Sequence, residues 1–69
     1  MRIRYDEGAD AAYIYLVEIA PGGVATTYPL VPFEAGAMIN LDYDAEGRLL
    51  GIEVMDARSV LPVELLNPC

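Results

Sequence analysis

The sequence predicts a mainly β fold: a single antiparallel sheet of about five strands, a hairpin-rich meander, with a short C-terminal helical turn. Three observations carry that expectation. Short segments rich in aromatic and β-branched residues recur along the chain, clusters of Gly, Pro and Asp separate them, and Met38 to Met55 reads as a hairpin turning through Asp44-Ala45-Glu46-Gly47. With 69 residues, the chain has room for one domain, taken as residues 1–69.

Met1 to Tyr5 alternates, with Met1, Ile3 and Tyr5 on one side and Arg2 and Arg4 on the other, the period of a half-buried strand. Asp6-Glu7-Gly8-Ala9-Asp10 interrupts it as a tight turn, in which Asp6 can accept backbone N–H bonds and Gly8 can take unusual dihedrals. Tyr13 to Ile19 is the second strand, ended by Pro21-Gly22-Gly23; apolar residues on both its faces predict a central position covered on both sides. Val24 to Leu30 is a weaker third strand near Pro29 and Pro32, and prolines suit an edge because each removes a ladder donor. Ala37 to Tyr43 and Leu49 to Met55 are the fourth and fifth.

Face parity restricts how the last two strands pair. The apolar sets are Ile39, Leu41 and Tyr43 against Leu50, Ile52 and Val54, and opposed residues share a face. A three-residue loop with a bulge at Gly47 would pair Leu41 with Gly51 and set the two groups on opposite faces, so parity rejects it. A four-residue loop pairs Leu41 with Leu50, and a two-residue Glu46-Gly47 turn pairs Leu41 with Ile52; both place Gly47 at positive φ. After Asp56, residues Ala57 to Leu61 form one helical turn ending at Pro62, and the apolar stretch Val60 to Leu66 is a tail packed on the sheet or on a neighbouring subunit.

Composition narrows function. A core in so short a chain contributes only ~3–5 kcal/mol, and small domains usually add disulfides, a metal or a partner. The single cysteine, Cys69, cannot close an internal disulfide. The chain is nevertheless 55% hydrophobic, more than a monomer of this size can hide, which predicts a homo-oligomer, a dimer or larger. Eleven acidic residues against four arginines give a net charge of −7. That field disfavours nucleic acid and anionic membranes and suits a basic protein partner. No apolar run approaches the ~20 residues of a membrane span and no secretory leader pattern stands at the N-terminus, so a cytoplasmic location is expected.

Catalytic chemistry is poorly provided for. There is no histidine, no lysine and one terminal cysteine, so Ser59 has no base and zinc and nucleophilic templates are closed. No cofactor and no enzymatic activity are expected. Gly22-Gly23 follows proline rather than leading into a helix, and the tyrosines lie on expected strands, where packing accounts for them. Asp42-x-Asp44-x-Glu46-Gly47 followed by Glu53 resembles a calcium loop, but no entering helix precedes it. In the four-residue-loop register Asp42 lies opposite Leu49, with Glu53 ~13 Å farther along. A solvated acidic turn is the better account. The alternative function, a small carboxylate-based divalent-metal-binding protein or enzyme, would draw on Asp6, Asp10, Glu53 and Asp56; turn capping is the ordinary explanation of the first two.

Two motifs together, Tyr5-Asp6-x-x-Ala9-Asp10-Ala11-x-Tyr13-Ile14 and Asn40-Leu41-Asp42-Tyr43-Asp44-x-Glu46-Gly47-Arg48-Leu49-x-Gly51-Ile52-Glu53-Val54-Met55-Asp56-Ala57, resemble the DUF2283 family of small bacterial proteins. The resemblance covers most of the chain. It implies a compact, mainly antiparallel β domain of unknown function without established catalytic residues, with Tyr5, Asp6, Asp10, Tyr13, Gly47, Gly51, Glu53 and Asp56 as structural motif positions. It also implies an antitoxin-type role, loosely. The sequence departs from the family pattern at Gly8, where an acidic residue is common, and at Ala12, where a larger aliphatic is common.

Overall fold

The computed structural model describes residues 1–30 and 38–66. They form one five-stranded antiparallel sheet and two short helices: β1 (Arg2–Asp6), β2 (Ala11–Tyr15), β3 (Thr26–Leu30), β4 (Met38–Tyr43), β5 (Leu49–Met55), α1 (Ala57–Val60) and α2 (Val63–Leu66). The expected start of the fourth strand at Ala37, together with Pro32 and Cys69, lies outside the described residues. No helix among the described residues is long and apolar enough to cross a membrane.

The strand order is β1-β2-β5-β4-β3. A hairpin (β1–β2) and a meander (β3–β4–β5) are joined by the connection after Tyr15, which returns the chain at the far edge, so that β5 closes against β2. β2 is therefore internal, as its composition predicts, but it runs from Ala11 to Tyr15 rather than from Tyr13 to Ile19. Only one of its faces carries a helix layer; the other holds Tyr13 and Tyr15, half-buried against each other in an edge-on pair with ring centroids 4.6 Å apart.

β3 is an edge strand, exposed at all five residues. Leu16 N–H donates to Leu50 O at 3.0 Å, which sets the phase of the ladder. Alternation then turns the backbone groups of Thr26, Tyr28 and Leu30 toward β4 and the proline nitrogen of Pro29 outward. The missing donor sits where an incoming strand would need it.

The β4–β5 hairpin corrects the parity argument in an instructive way. Gly47 N–H donates to Asp44 O at 3.0 Å, Asp44 N–H to Arg48 O at 2.9 Å, and Gly47 has φ +81°. This is the three-residue loop that parity rejects. Tyr43 pairs with Leu49 while Asp42 pairs with Gly51, so Leu50 is an extra residue, and this second bulge restores the faces. Beyond it Leu41 opposes Ile52 and Ile39 opposes Val54, the register of the two-residue alternative.

In the first turn Asp6 Oδ1 accepts Gly8 N–H at 3.0 Å and Ala9 N–H at 3.3 Å, the expected cap. Positive φ falls on Asp10 (+50°), not on Gly8. Aspartate tolerates the left-handed region better than most residues, and the need for it arises where the chain re-enters the sheet. Asp56 (+54°) makes the matching reversal out of β5 into α1. The helical turn after it ends before Pro62 as expected, but a second one follows. Proline cannot continue α1, yet its fixed φ suits the start of a new turn, and Leu65 N–H donates back to Pro62 O at 3.0 Å. The core lies where these helices meet the sheet: Ala12, Val54, Ala57 and Leu66 are buried, with Tyr5, Ile39, Ile52, Val60 and Leu61 packed around them.

Candidate interaction face

The pairing register separates the two faces of the sheet by chemistry. On one face the cross-strand rows read Tyr5, Ala12, Val54, Ile39, Leu30 and then Ile3, Ile14, Ile52, Leu41, Tyr28. Neither row contains a charge. All five charged residues of the strands, Arg2, Arg4, Asp6, Asp42 and Glu53, project from the other face. The two helices cover the first row at its β1, β2 and β5 end. None of the five residues of the second row is buried, and at the β3 edge Tyr28 remains 58% and Leu30 41% exposed.

The charged face closes its own hydrogen bonds laterally. Tyr13 reaches diagonally across Gly51 to donate to Asp42 Oδ2 at 2.6 Å, and Thr27 Oγ1 donates to Asp42 Oδ1 at 2.6 Å. Burial foremost, and then the Asp42 carboxylate, push the Tyr13 hydroxyl well above its ordinary value, so it remains a donor. Gly51 leaves room for that ring, because a Cβ there would collide with the Tyr13 hydroxyl and ring edge and force the side chain to shift. Asn40 Nδ2 donates to Glu53 Oε1 at 3.0 Å, and the Arg2 guanidinium lies 3.9 Å above the Tyr15 ring while pairing with Glu18 at 3.4 Å. A shallow hollow between Arg4, Asp6, Tyr13, Tyr15 and Glu53 completes this face.

A clasp ties the helices to the sheet. Tyr5 donates its hydroxyl to Asp10 Oδ1 at 2.7 Å, Arg58 N–H donates to the same oxygen at 3.1 Å, and Arg58 Nε donates to the Tyr5 hydroxyl at 3.2 Å. Ala57 N–H donates to Asp10 O at 2.9 Å. The Tyr5 hydrogen bond, with Arg58 after it, holds the Asp10 carboxyl below its ordinary value; the same bond raises Tyr5. Arg58 carries no expectation from sequence. Tyr5 and Asp10 flank the turn in the chain, but the partner is 48 residues beyond Asp10 and no local pattern announces it.

The carboxylates proposed for a metal are divided among these structures. Asp6 caps the first turn, Glu53 bonds Asn40 on the charged face, and Asp10 and Asp56 stand at neighbouring chain reversals, with Asp10 engaged in the clasp. Among the described residues no three metal-ligating side chains are grouped closely enough to hold an ion. The acidic hairpin needs a correction of distance. Asp42 lies opposite Gly51, so Glu53 is two residues farther along rather than four, a diagonal neighbour on the same face. Tyr13 and Thr27, rather than distance, occupy Asp42. Asp44 accepts Glu46 N–H at 2.9 Å and Arg48 N–H at 2.8 Å on one oxygen and Arg48 Nε at 3.0 Å on the other, and the Arg48 N–H bond foremost lowers its carboxyl.

Of the motif positions, Tyr5 and Asp10 join the clasp, Asp6 and Gly47 shape turns, and Tyr13 and Gly51 make the diagonal contact. Glu53 and Asp56 pin β4 to β5 and reverse the chain. Comparison with curated proteins and with solved structures gave no match. Comparison with protein families matches residues 2–58 to one described as a protein of unknown function, DUF2283. That span contains the whole sheet, both turn aspartates and the Arg58 end of the clasp, so the chain belongs to the DUF2283 family.

Proposed function

We propose that this domain is a non-enzymatic protein-interaction module that self-associates through the apolar face of its sheet. The observation that carries the reading is the contrast between the two ends of one uncharged apolar face: Ala12 and Val54 are buried under the helices, while Tyr28 and Leu30 stand exposed at the β3 edge. An apolar surface of that kind is stabilised by a partner. The β3 edge is a poor route to the same end, since Pro29 interrupts its outward donors. The sequence supplies no histidine or lysine for catalysis, and Asp10, Asp42 and Asp44 are engaged as acceptors within the fold. The net charge of −7 suits a basic protein as a second partner, the relation an antitoxin has with a basic toxin. Light scattering on the eluting peak tests self-association. At about 50 μM, a concentration at which a standard-size interface is occupied, a mass of at least twice 7.5 kDa is expected, and 7.5 kDa would overturn the reading.

A further inference from the structure

The apolar face is stepped. α2 packs against β1 and, with α1, stands over one side of the sheet, while among the described residues no helix stands over the opposite side, toward β3. A helix with its side chains is ~10 Å across, so the bare side is a recess of about that depth. Exposed apolar residues occupy both levels: Val63 (66%) and Leu65 (38%) on the raised helix, Tyr28 and Leu30 in the recess.

We infer that the apolar face binds a second copy of this chain, related by a two-fold axis parallel to the strands between the sheets, with α2 of each copy seated on the β3–β4 side of the other. The inference rests on the self-association reading and specifies its geometry. A two-fold axis in that direction carries the β1 side of one copy over the β3 side of its partner and preserves position along the strands. The row that α2 occupies at Tyr5 ends at Leu30, so Val63 and Leu65 meet Leu30 and Tyr28 of the other copy.

Two features select a copy of this chain rather than another protein. Both exposed apolar sets are consumed by one contact, made twice. The strand charges of both copies point away from the contact, which leaves Glu64 of α2 and Arg58 of α1 as the helix charges on this side, so a chain of net charge −7 meets its like with less repulsion here than across the charged face. The molecule extends 32 × 30 Å in its two longer dimensions, enough for the ~800 Å² that each partner gives to a standard interface.

A cysteine pair tests the geometry. In a Cys69→Ser background, Leu30→Cys with Val63→Cys places thiols at opposite edges of one molecule, where they cannot bridge within a chain, but adjacent across the two-fold axis. Oxidation is expected to convert most of the protein to a covalent dimer, while Asn40→Cys with Val63→Cys, one thiol being on the charged face, stays monomeric on a denaturing gel. Val63→Asp and Leu65→Asp, at exposed sites, are each expected to weaken dimerisation about tenfold or more with the circular dichroism unchanged. A wild-type dimer that neither crosslinks nor responds to both aspartates overturns this geometry and leaves self-association standing. A wild-type monomer overturns both and assigns the face to a different protein.

Discussion

The two faces of this sheet are stabilised by different means, and the difference separates what the domain completes alone from what it leaves to a partner. On the charged face the finishing is lateral: Tyr13 to Asp42, Thr27 to Asp42, Asn40 to Glu53, and Arg2 to Tyr15 and Glu18. Polar groups can be satisfied within one layer or by water. The apolar face has no such option. Its rows gain only from being covered, and two helices of four residues each cover one end. A face finished with hydrogen bonds is complete in the monomer; a face of Ile, Leu and Tyr finished over half its extent is not.

The largest effect should come from the covered end. Val54 is 1% exposed beneath the helices, and Val54→Ala is expected to cost about 2–3 kcal/mol in chemical denaturation, lost burial plus the cavity left behind. A loss under ~0.5 kcal/mol would mean that the helices do not form the core. On the charged face the sharpest break is Gly51→Ala. Its methyl group would displace the Tyr13 ring and break the bond to Asp42, at an expected cost of about 1–2 kcal/mol. An unchanged midpoint would show that the diagonal contact contributes nothing.

A smaller effect, in pH dependence, comes from two carboxylates, Asp10 in the clasp and Asp44 in the hairpin turn. Asp10 and Asp44 are both held below the ordinary carboxyl value of 3.8, so the folded protein binds fewer protons than the unfolded chain around that pH. Their contribution is fully present above pH ~4 and is lost as pH falls through their lowered values. Melting temperature should therefore drop on acidification below pH ~4, and Asp10→Asn should lower it at neutral pH while flattening the acid slope. An acid slope identical in wild type and Asp10→Asn would remove the clasp from the account.

Much of the architecture is legible in the sequence because it is local. Alternation and breakers mark five strands, proline marks the β3 edge, and Gly47 marks the hairpin turn. Loop length is not legible from face parity, because parity is not a property of the turn alone: the extra residue Leu50, six residues before Asp56, resets it. The strand order was not legible: even the opposed pair of β2 and β5 with the smallest separation, Tyr15 and Gly51, is 36 residues apart in the chain, and nothing local states that the two strands meet. The candidate site was half legible. Excess apolar composition announced an uncovered surface, but which end of the face stays exposed depends on where Leu66 docks, and Arg58 joins Tyr5 and Asp10 only once the fold has formed.

The central claim is that the exposed β3 side of the apolar face is an interface. Light scattering of the wild-type chain beside Tyr28→Glu tests it most directly, because Tyr28 is exposed in one copy and its replacement leaves the monomer's core untouched. The account predicts at least twice 7.5 kDa for wild type and 7.5 kDa for the variant at the same concentration. A wild-type mass of 7.5 kDa, or an assembled mass for both proteins, would contradict it.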